Sequence, residues 1–436
     1  MSKLIFKESN ELLYLQVYNY YKDLILSGNL LPGTKLPSIR KCASQLEISR
    51  TTAENAYLYL AAEGYIISKP QSGYYVTDIA KKKEKYDAIK KQTEKSEQVL
   101  YDFCATTIDE DSFNLNLWRR YIKSALRQEE RLLSYGESQG EYELREAVCK
   151  YLNSHRNVMC TPDSIVVGAG FQSLLHILCP LLQEYKRVWI QDAGFTKGQA
   201  IFNDYGFSLV DVEKNADILY VTPSHMNNLG DVMPVQKRLE LLHQIQDKNT
   251  LIIEDDFDSE FCYNRPAPSL QGLDSGEHVI YLCTFSRLLL PSIRISFMIL
   301  PPPLLAFYQK KKDLYNQTAS KAEQIALCQY IRDGHLEAQI RKTQKFYTSK
   351  ASRLMQEAKR IFKESSVTCG DSGLVICIHL KKKLDICQLL QNKKIRFDYY
   401  LDENGYCNLL LSCFSIDKKD LTNSLEFLYQ TIHQIA

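Results

Sequence analysis

The sequence predicts a mixed α/β chain: an N-terminal winged helix-turn-helix head, then a body on a mostly parallel central sheet with a smaller C-terminal α+β lobe. Three observations predict it. Three helical patterns and one hairpin pattern fall within residues 1–77. A charged stretch without Gly or Pro follows at 78–100. From 101 to 436, short apolar runs alternate with helical ones, as in sheets covered by helices on both faces.

Composition sets the outer limits. The 436 residues allow roughly three globular units at ~150 residues each. Hydrophobic residues make up 45% and charged residues 24%, which excludes a disordered or collagen-like chain. The formal charge is only +2, so any surface attractive to nucleic acid has to be local. The start, MSKLIFKESNELL, has no sustained apolar core ahead of small residues, so no signal peptide is expected. The most apolar stretch, 279–308, carries Arg287, Arg294 and four prolines, which argues against a membrane span. The 13 cysteines contain no C-x-x-C and read as reduced thiols of a cytoplasmic protein. No His spacing suggests a metal site.

In the head, Leu13, Val17, Tyr20, Leu24 and Ile25 mark one face of a first helix that Gly28 can end. After a Pro32-Gly33 turn, Pro37-Ser38 opens a second helix with Ile39, Cys42, Ala43 and Leu46 inward. Ser49 caps a third, with Ala53, Ala56, Tyr57 and Leu60 on its apolar face and Gly64 at its end. Tyr65-Ile66-Ile67 and Tyr74-Tyr75-Val76 then flank Lys69–Gly73 as a hairpin. The stretch at 81–98 has seven Lys against four acidic residues and reads as a solvated linker.

In the body, the strands are expected at 165–167, 187–190, 218–221, 251–253, 279–282 and 295–299, with a large lobe over about 130–310 and a small lobe over about 330–436. Ligands of such sheets sit at the carboxyl ends of the strands.

Leu36-Pro37-Ser38-Ile39-Arg40, Ile48-Ser49-Arg50-Thr51-Thr52-Ala53, Glu63-Gly64-Tyr65 and Ser72-Gly73-Tyr74 together resemble the GntR-type winged helix. The physical reading agrees. Ser49, Arg50, Thr51 and Thr52 start the recognition helix, the part that reaches base edges in the major groove. Arg can donate two bonds to guanine. Arg40 and Lys69 suit the phosphate backbone, and Gly73 lets the wing come close. Residues 1–80 carry eight basic against seven acidic side chains, so a dimer on paired half-sites is expected to add affinity.

The rest of the chain resembles a fold-type I aminotransferase that uses pyridoxal phosphate; with the head, the whole resembles a MocR-subfamily regulator. The resemblance rests on Tyr135-Gly136 through Leu144-Arg145, Gly170-Phe171-Gln172, Asp192 through Phe195, Thr222-Pro223-Ser224-His225, the acidic block Glu254–Phe261, and Thr284-Phe285-Ser286-Arg287 through Arg294. It implies Asp255 on the pyridine nitrogen and Phe195 on the ring face, although a lone aromatic is equally a core residue. It also implies a phosphate cradle from Gly170, Phe171, Ser286 and Arg294, with Tyr135 from a neighbouring subunit.

Several positions depart from that pattern. Arg287 stands where the family carries the lysine that bonds the cofactor covalently. A guanidinium stays protonated and offers no lone pair. Phe257 replaces a tyrosine, Leu410 falls where an arginine usually meets a substrate carboxylate, and Asn228-Leu229-Gly230 replaces Pro-Thr-Gly. Arg287 is either an ordinary ion-paired arginine or, with Arg294, one half of an anion site. Lys197 is a remote substitute amine.

The expected protein is therefore a cytoplasmic, homodimeric regulator. It binds double-stranded operator DNA and has no catalytic residues, no covalent cofactor, no metal and no membrane. Its body dimerises and senses a small anionic effector. The alternatives are a pyridoxal-phosphate-dependent aminotransferase and a regulator holding pyridoxal or pyridoxamine phosphate non-covalently.

Overall fold

The computed structural model describes residues 12–78, 99–104, 107–192, 194–246, 250–261, 267–380 and 394–435. The chain divides into two compact units, Met1–Glu97 and Gln98–Ala436. The expected linker lies almost entirely at 79–98, outside the described residues.

Three helices and a hairpin build the head: α1 (Leu13–Leu26), α2 (Ile39–Leu46), α3 (Arg50–Ala62), β1 (Ile66–Lys69) and β2 (Gly73–Val76). Each boundary has a local cause. Ser38 and Ser49 cap α2 and α3 by accepting the N–H of Lys41 and Thr52. Glu47 turns the chain between them in the left-handed region, at φ 55°. Ala53, Ala56, Tyr57 and Leu60 are fully buried, and the Tyr57 hydroxyl donates to the Pro37 carbonyl at 2.9 Å. Burying a side chain such as Leu60 contributes on the order of 2 kcal/mol.

The face of α1 differs from expectation. Its buried residues are Val17, Tyr18, Tyr21 and Ile25, while Leu13 is exposed and Tyr20 and Leu24 are half-buried. Tyrosine decides it. The Tyr21 ring packs edge-on against Tyr57 at 5.8 Å, and the Tyr18 hydroxyl reaches Glu63 at the end of α3.

The body's main sheet has seven strands: β3 (Ile165–Gly168), β4 (Arg187–Ile190), β5 (Ser208–Leu209), β6 (Ile218–Val221), β7 (Leu251–Asp255), β8 (Val279–Thr284) and β9 (Ser296–Ile299). Their order is β3-β9-β8-β7-β6-β4-β5. Strands β6, β7 and β8 run parallel and are almost wholly buried, as their unbroken apolar runs require. Strand β9 is antiparallel to both neighbours, with Ser296 level with Gly168 on one side and Thr284 on the other. It therefore begins where β3 and β8 end, and the residues just before it arrive at the ligand-facing edge.

The small lobe is a four-stranded antiparallel sheet, β10 (Ser366–Cys369), β11 (Val375–His379), β12 (Asp398–Leu401) and β13 (Cys407–Ser412), in the order β10-β11-β13-β12. Helices α4 (His335–Ile361) and α5 (Leu421–Ile435) share its apolar core. No helix among the described residues is long and apolar enough to cross a membrane.

Candidate DNA-reading face and candidate ligand cavity

In the head, Arg50 and Thr51 open α3 and are exposed. Thr52 is half-buried, its hydroxyl 2.7 Å from that of Ser49, so it belongs to the cap more than to the outer surface. Arg40 is exposed in the first turn of α2. At the hairpin, Lys69 ends β1 and Gly73 begins β2 at φ +112°, a conformation that favours glycine. The sequence reading missed Lys35. Its ammonium and that of Lys69 lie 5.8 and 4.7 Å from the centre of the Tyr75 ring, so the wing carries two lysines flanking one tyrosine. The Ser72 hydroxyl does most to hold the Tyr75 phenol below its ordinary value, against burial, with the two lysine charges adding to the lowering.

In the body, a cavity of about 270 Å³ opens at the carboxyl ends of β6, β7 and β8. Asp255, the last residue of β7, lines it with Phe171, Phe195, Thr222, Phe257 and Thr284. Phe195 stands on one wall, stacked on Tyr220 at 4.8 Å and 22°. Gly198 makes room for it, since a Cβ there would meet the ring at 1.8 Å. Tyr220, which sequence reasoning passed over as a strand residue, donates to the Asp255 carboxylate. Burial raises Asp255 to about 7, with the charges of Asp256 and Asp258 adding and the Tyr220 bond opposing.

Gly170, Phe171, Ser286 and Arg294 come together at the head of the Phe171–Leu178 helix. Gly170 is its N-terminal boundary, at φ +88°, and the first-turn N–H groups beyond it have no partner within the helix. A Cβ on Gly170 would lie 2.2 Å from the Arg294 guanidinium, which is itself 3.4 Å from the Ser286 hydroxyl. Arg294 is exposed, and among the described residues no carboxylate lies within ion-pair distance of it. A helix start of this kind, with a guanidinium and a hydroxyl beside it, is the geometry that favours an anion. The antiparallel β9 brings Arg294 there.

Arg287 is placed differently. Its guanidinium donates to Asp258 at 2.5 Å and lies 4.5 Å from the centre of the Phe414 ring. His225 approaches the same carboxylate at 3.1 Å. Burial alone would raise Asp258; Arg287 and His225 together hold it below the usual carboxylate value. The two arginines thus have separate neighbours, and Arg294 is the one beside Gly170 and Ser286.

Lys197 is exposed and absent from the cavity lining. Lys350, fully buried, is bonded to Asp109 at 2.8 Å. Leu410 is buried in β13 opposite Cys377 and Asp398. Tyr135 is fully exposed.

A winged-helix reader joined to an aminotransferase-like domain defines the class: a helix-turn-helix transcriptional regulator. Residues 13–76 match the family described as bacterial regulatory proteins, gntR family, and residues 103–399 match aminotransferase class I and II. The HTH-type transcriptional regulator YdeL of Bacillus subtilis is 36% identical, with 88% of this chain and 87% of YdeL covered. The probable rhizopine catabolism regulatory protein MocR of Rhizobium meliloti is 27% identical, with 86% of this chain and 83% of MocR covered. An archaeal alanine:glyoxylate aminotransferase superposes with a TM-score of 0.68 at 19% identity, over 81% of this chain and 95% of that one, a likeness of fold. The chain belongs to the GntR family of regulators, and within it to the MocR type.

Proposed function

We propose that the head binds operator DNA as half of a homodimer, while the body senses a small anionic ligand and does not transform it. The observation that carries this is the side chain at position 287. Transamination needs an amine there, both to bond the cofactor and to move a proton. Arg287 supplies neither, and its charge is already matched by Asp258. Bound pyridoxal phosphate would supply an electron-withdrawing ring, but this chain presents no lysine to it among the described residues lining the cavity.

The remaining groups fit pyridoxal or pyridoxamine phosphate held non-covalently. Asp255 would meet the ring nitrogen and Phe195 the ring face. Gly170, Phe171, Ser286 and Arg294 would take the phosphate, with Tyr135 reaching in from the neighbouring subunit. In the head, Arg50 and Thr51 would read bases, while Arg40, Lys69 and the Gly73 wing would hold the backbone, with Ser49 and Thr52 shaping the helix start. Two heads on one dimer fix a half-site spacing, and a ligand that alters that spacing alters affinity. Free thiols, which all the described cysteines are, suit a cytoplasmic protein.

The test is to add pyridoxal phosphate to the full-length protein, measure binding by equilibrium dialysis, then reduce with borohydride and weigh the intact chain. Binding that Arg294→Ala abolishes, with no change of mass on reduction, is the expected result. A reduced adduct on any lysine, or steady product from an amino acid and a keto acid, overturns the reading.

A further inference from the structure

A second cavity, of about 320 Å³, lies in the body away from the Phe195 pocket. Among its lining residues are Arg156, Ser224, Glu260, Glu337, Arg341 and Gln344. The residues behind its wall are tightly bonded. Asp256 accepts from Arg156 at 2.7 Å, from Tyr281 at 2.6 Å and from Ser224 at 2.5 Å. Gln344 on α4 donates to the Glu260 carbonyl at 2.7 Å, so the long helix closes one side.

Two atoms break this pattern of satisfied groups. Arg156 Nε and Glu337 Oε2 are both buried and have no hydrogen-bond partner. Buried polar atoms are almost always paired, so each such exception calls for a reason. One is a donor beside a cavity that Arg341 also lines; the other is an acceptor on the same cavity. A ligand that answers both has to offer an acceptor to the arginine side and a donor to the glutamate. The size is at the lower end of small-molecule sites.

From this we infer that the cavity is a binding site for a small zwitterion of the amino-acid class, its carboxylate on Arg156 and Arg341 and its ammonium on Glu337. This site shares no lining residue with the Phe195 pocket, and the inference does not depend on the pyridoxal-phosphate reading. Consecutive residues at the end of β7 serve the two pockets: Asp255 lines one, and Asp256 anchors the arginine of the other.

Calorimetric titration of the full-length protein with each of the twenty standard L-amino acids tests it, with acetate and methylamine as single-group probes. At least one amino acid is expected to bind, and acetate and methylamine at least tenfold more weakly. Glu337→Gln and Arg341→Ala should each weaken binding at least tenfold at an unchanged melting temperature, while Arg294→Ala leaves it intact. Failure of every amino acid to bind overturns the inference. So does binding indifferent to both Glu337→Gln and Arg341→Ala, or binding lost in Arg294→Ala, which would put the ligand in the first pocket.

Discussion

In the head, Arg40, Arg50 and Lys69 are exposed, and among the described residues none lies within ion-pair distance of a carboxylate. In the body, Arg145, Arg156, Arg238, Arg287 and Lys350 are buried or half-buried, and each lies on an acid. The same residue types do opposite work. A free surface cation keeps its counterions and can exchange them for phosphates. A cation drawn inside must be matched, and once matched it holds two elements together. Arg294 differs from these five: it is exposed, at a helix N-terminus, and among the described residues has no carboxylate at ion-pair distance. An unmatched surface charge can meet an anion without first giving up a salt bridge.

The sharpest way to break this comparison is at the Arg287–Asp258 pair, where side-chain exposure is 21% and 5%. Removing one partner of such a pair leaves the other charge buried and uncompensated, at a cost of about 3 kcal/mol. Asp258→Ala should lose that much in denaturant unfolding of the body transition, and adding Arg287→Met should recover most of it. A loss that the second change does not recover would mean that Arg287 is not matched internally.

The next effect belongs to the head. Arg50→Ala should cost about 1–3 kcal/mol of binding to operator DNA and relax the sequence preference at one position. Lys69→Ala should instead weaken binding evenly across sequences and flatten the dependence on log salt concentration by about one ion. Neither change should move the melting temperature, because neither side chain is inside. A fall in stability with Arg50→Ala would make it structural, like its counterparts in the body.

Smaller again is the cap. The Ser49 hydroxyl accepts the Thr52 N–H at 3.0 Å. Ser49→Ala should therefore cost about 1 kcal/mol of head stability. Amide exchange at the start of α3 would show it as faster opening confined to that turn.

Much of this was legible in the sequence where the cause is local. The Ser49 cap and the spacing of Ala53, Ala56, Tyr57 and Leu60 gave α3 its start and its inner face. The apolar runs gave six strands of the main sheet, while Ser208–Leu209, two exposed residues, carried no such run. The face of α1 was less legible because tyrosine is both apolar and polar: Tyr18 and Tyr21 went inside and Leu13 did not. The direction of β9 was illegible, since Ser296-Phe297-Met298-Ile299 reads the same either way, yet that direction places Arg294. Partners far apart in the chain were illegible too. Asp258 meets Arg287 across 29 residues, and Asp256 meets Arg156 across 100. The acidic block announced its chemistry, but only the topology decided which acid holds which cation.

The gentlest test separates two of those acids. Burial raises Asp255 from 3.8 to about 7, reinforced by Asp256 and Asp258 and opposed by the Tyr220 bond. Asp258 is also pushed up by burial, yet Arg287 and His225 bring it below 3.8. Folding therefore depends on pH in opposite senses at the two. Asp255 binds its proton more tightly folded than unfolded, so its contribution is whole below pH 3.8 and is lost as the pH rises through about 7. Asp258 contributes above pH 3.8 and loses its part as the pH falls through its depressed folded value. Melting temperatures of the wild-type chain and Asp255→Asn between pH 4 and 7 should diverge, the wild type declining more steeply as the pH rises. Parallel curves would mean that Asp255 is ionised at no cost, with a cation or a solvent path beside it. A ligand whose cationic ring nitrogen pairs with Asp255 should remove the same decline, because it stabilises the carboxylate that burial disfavours.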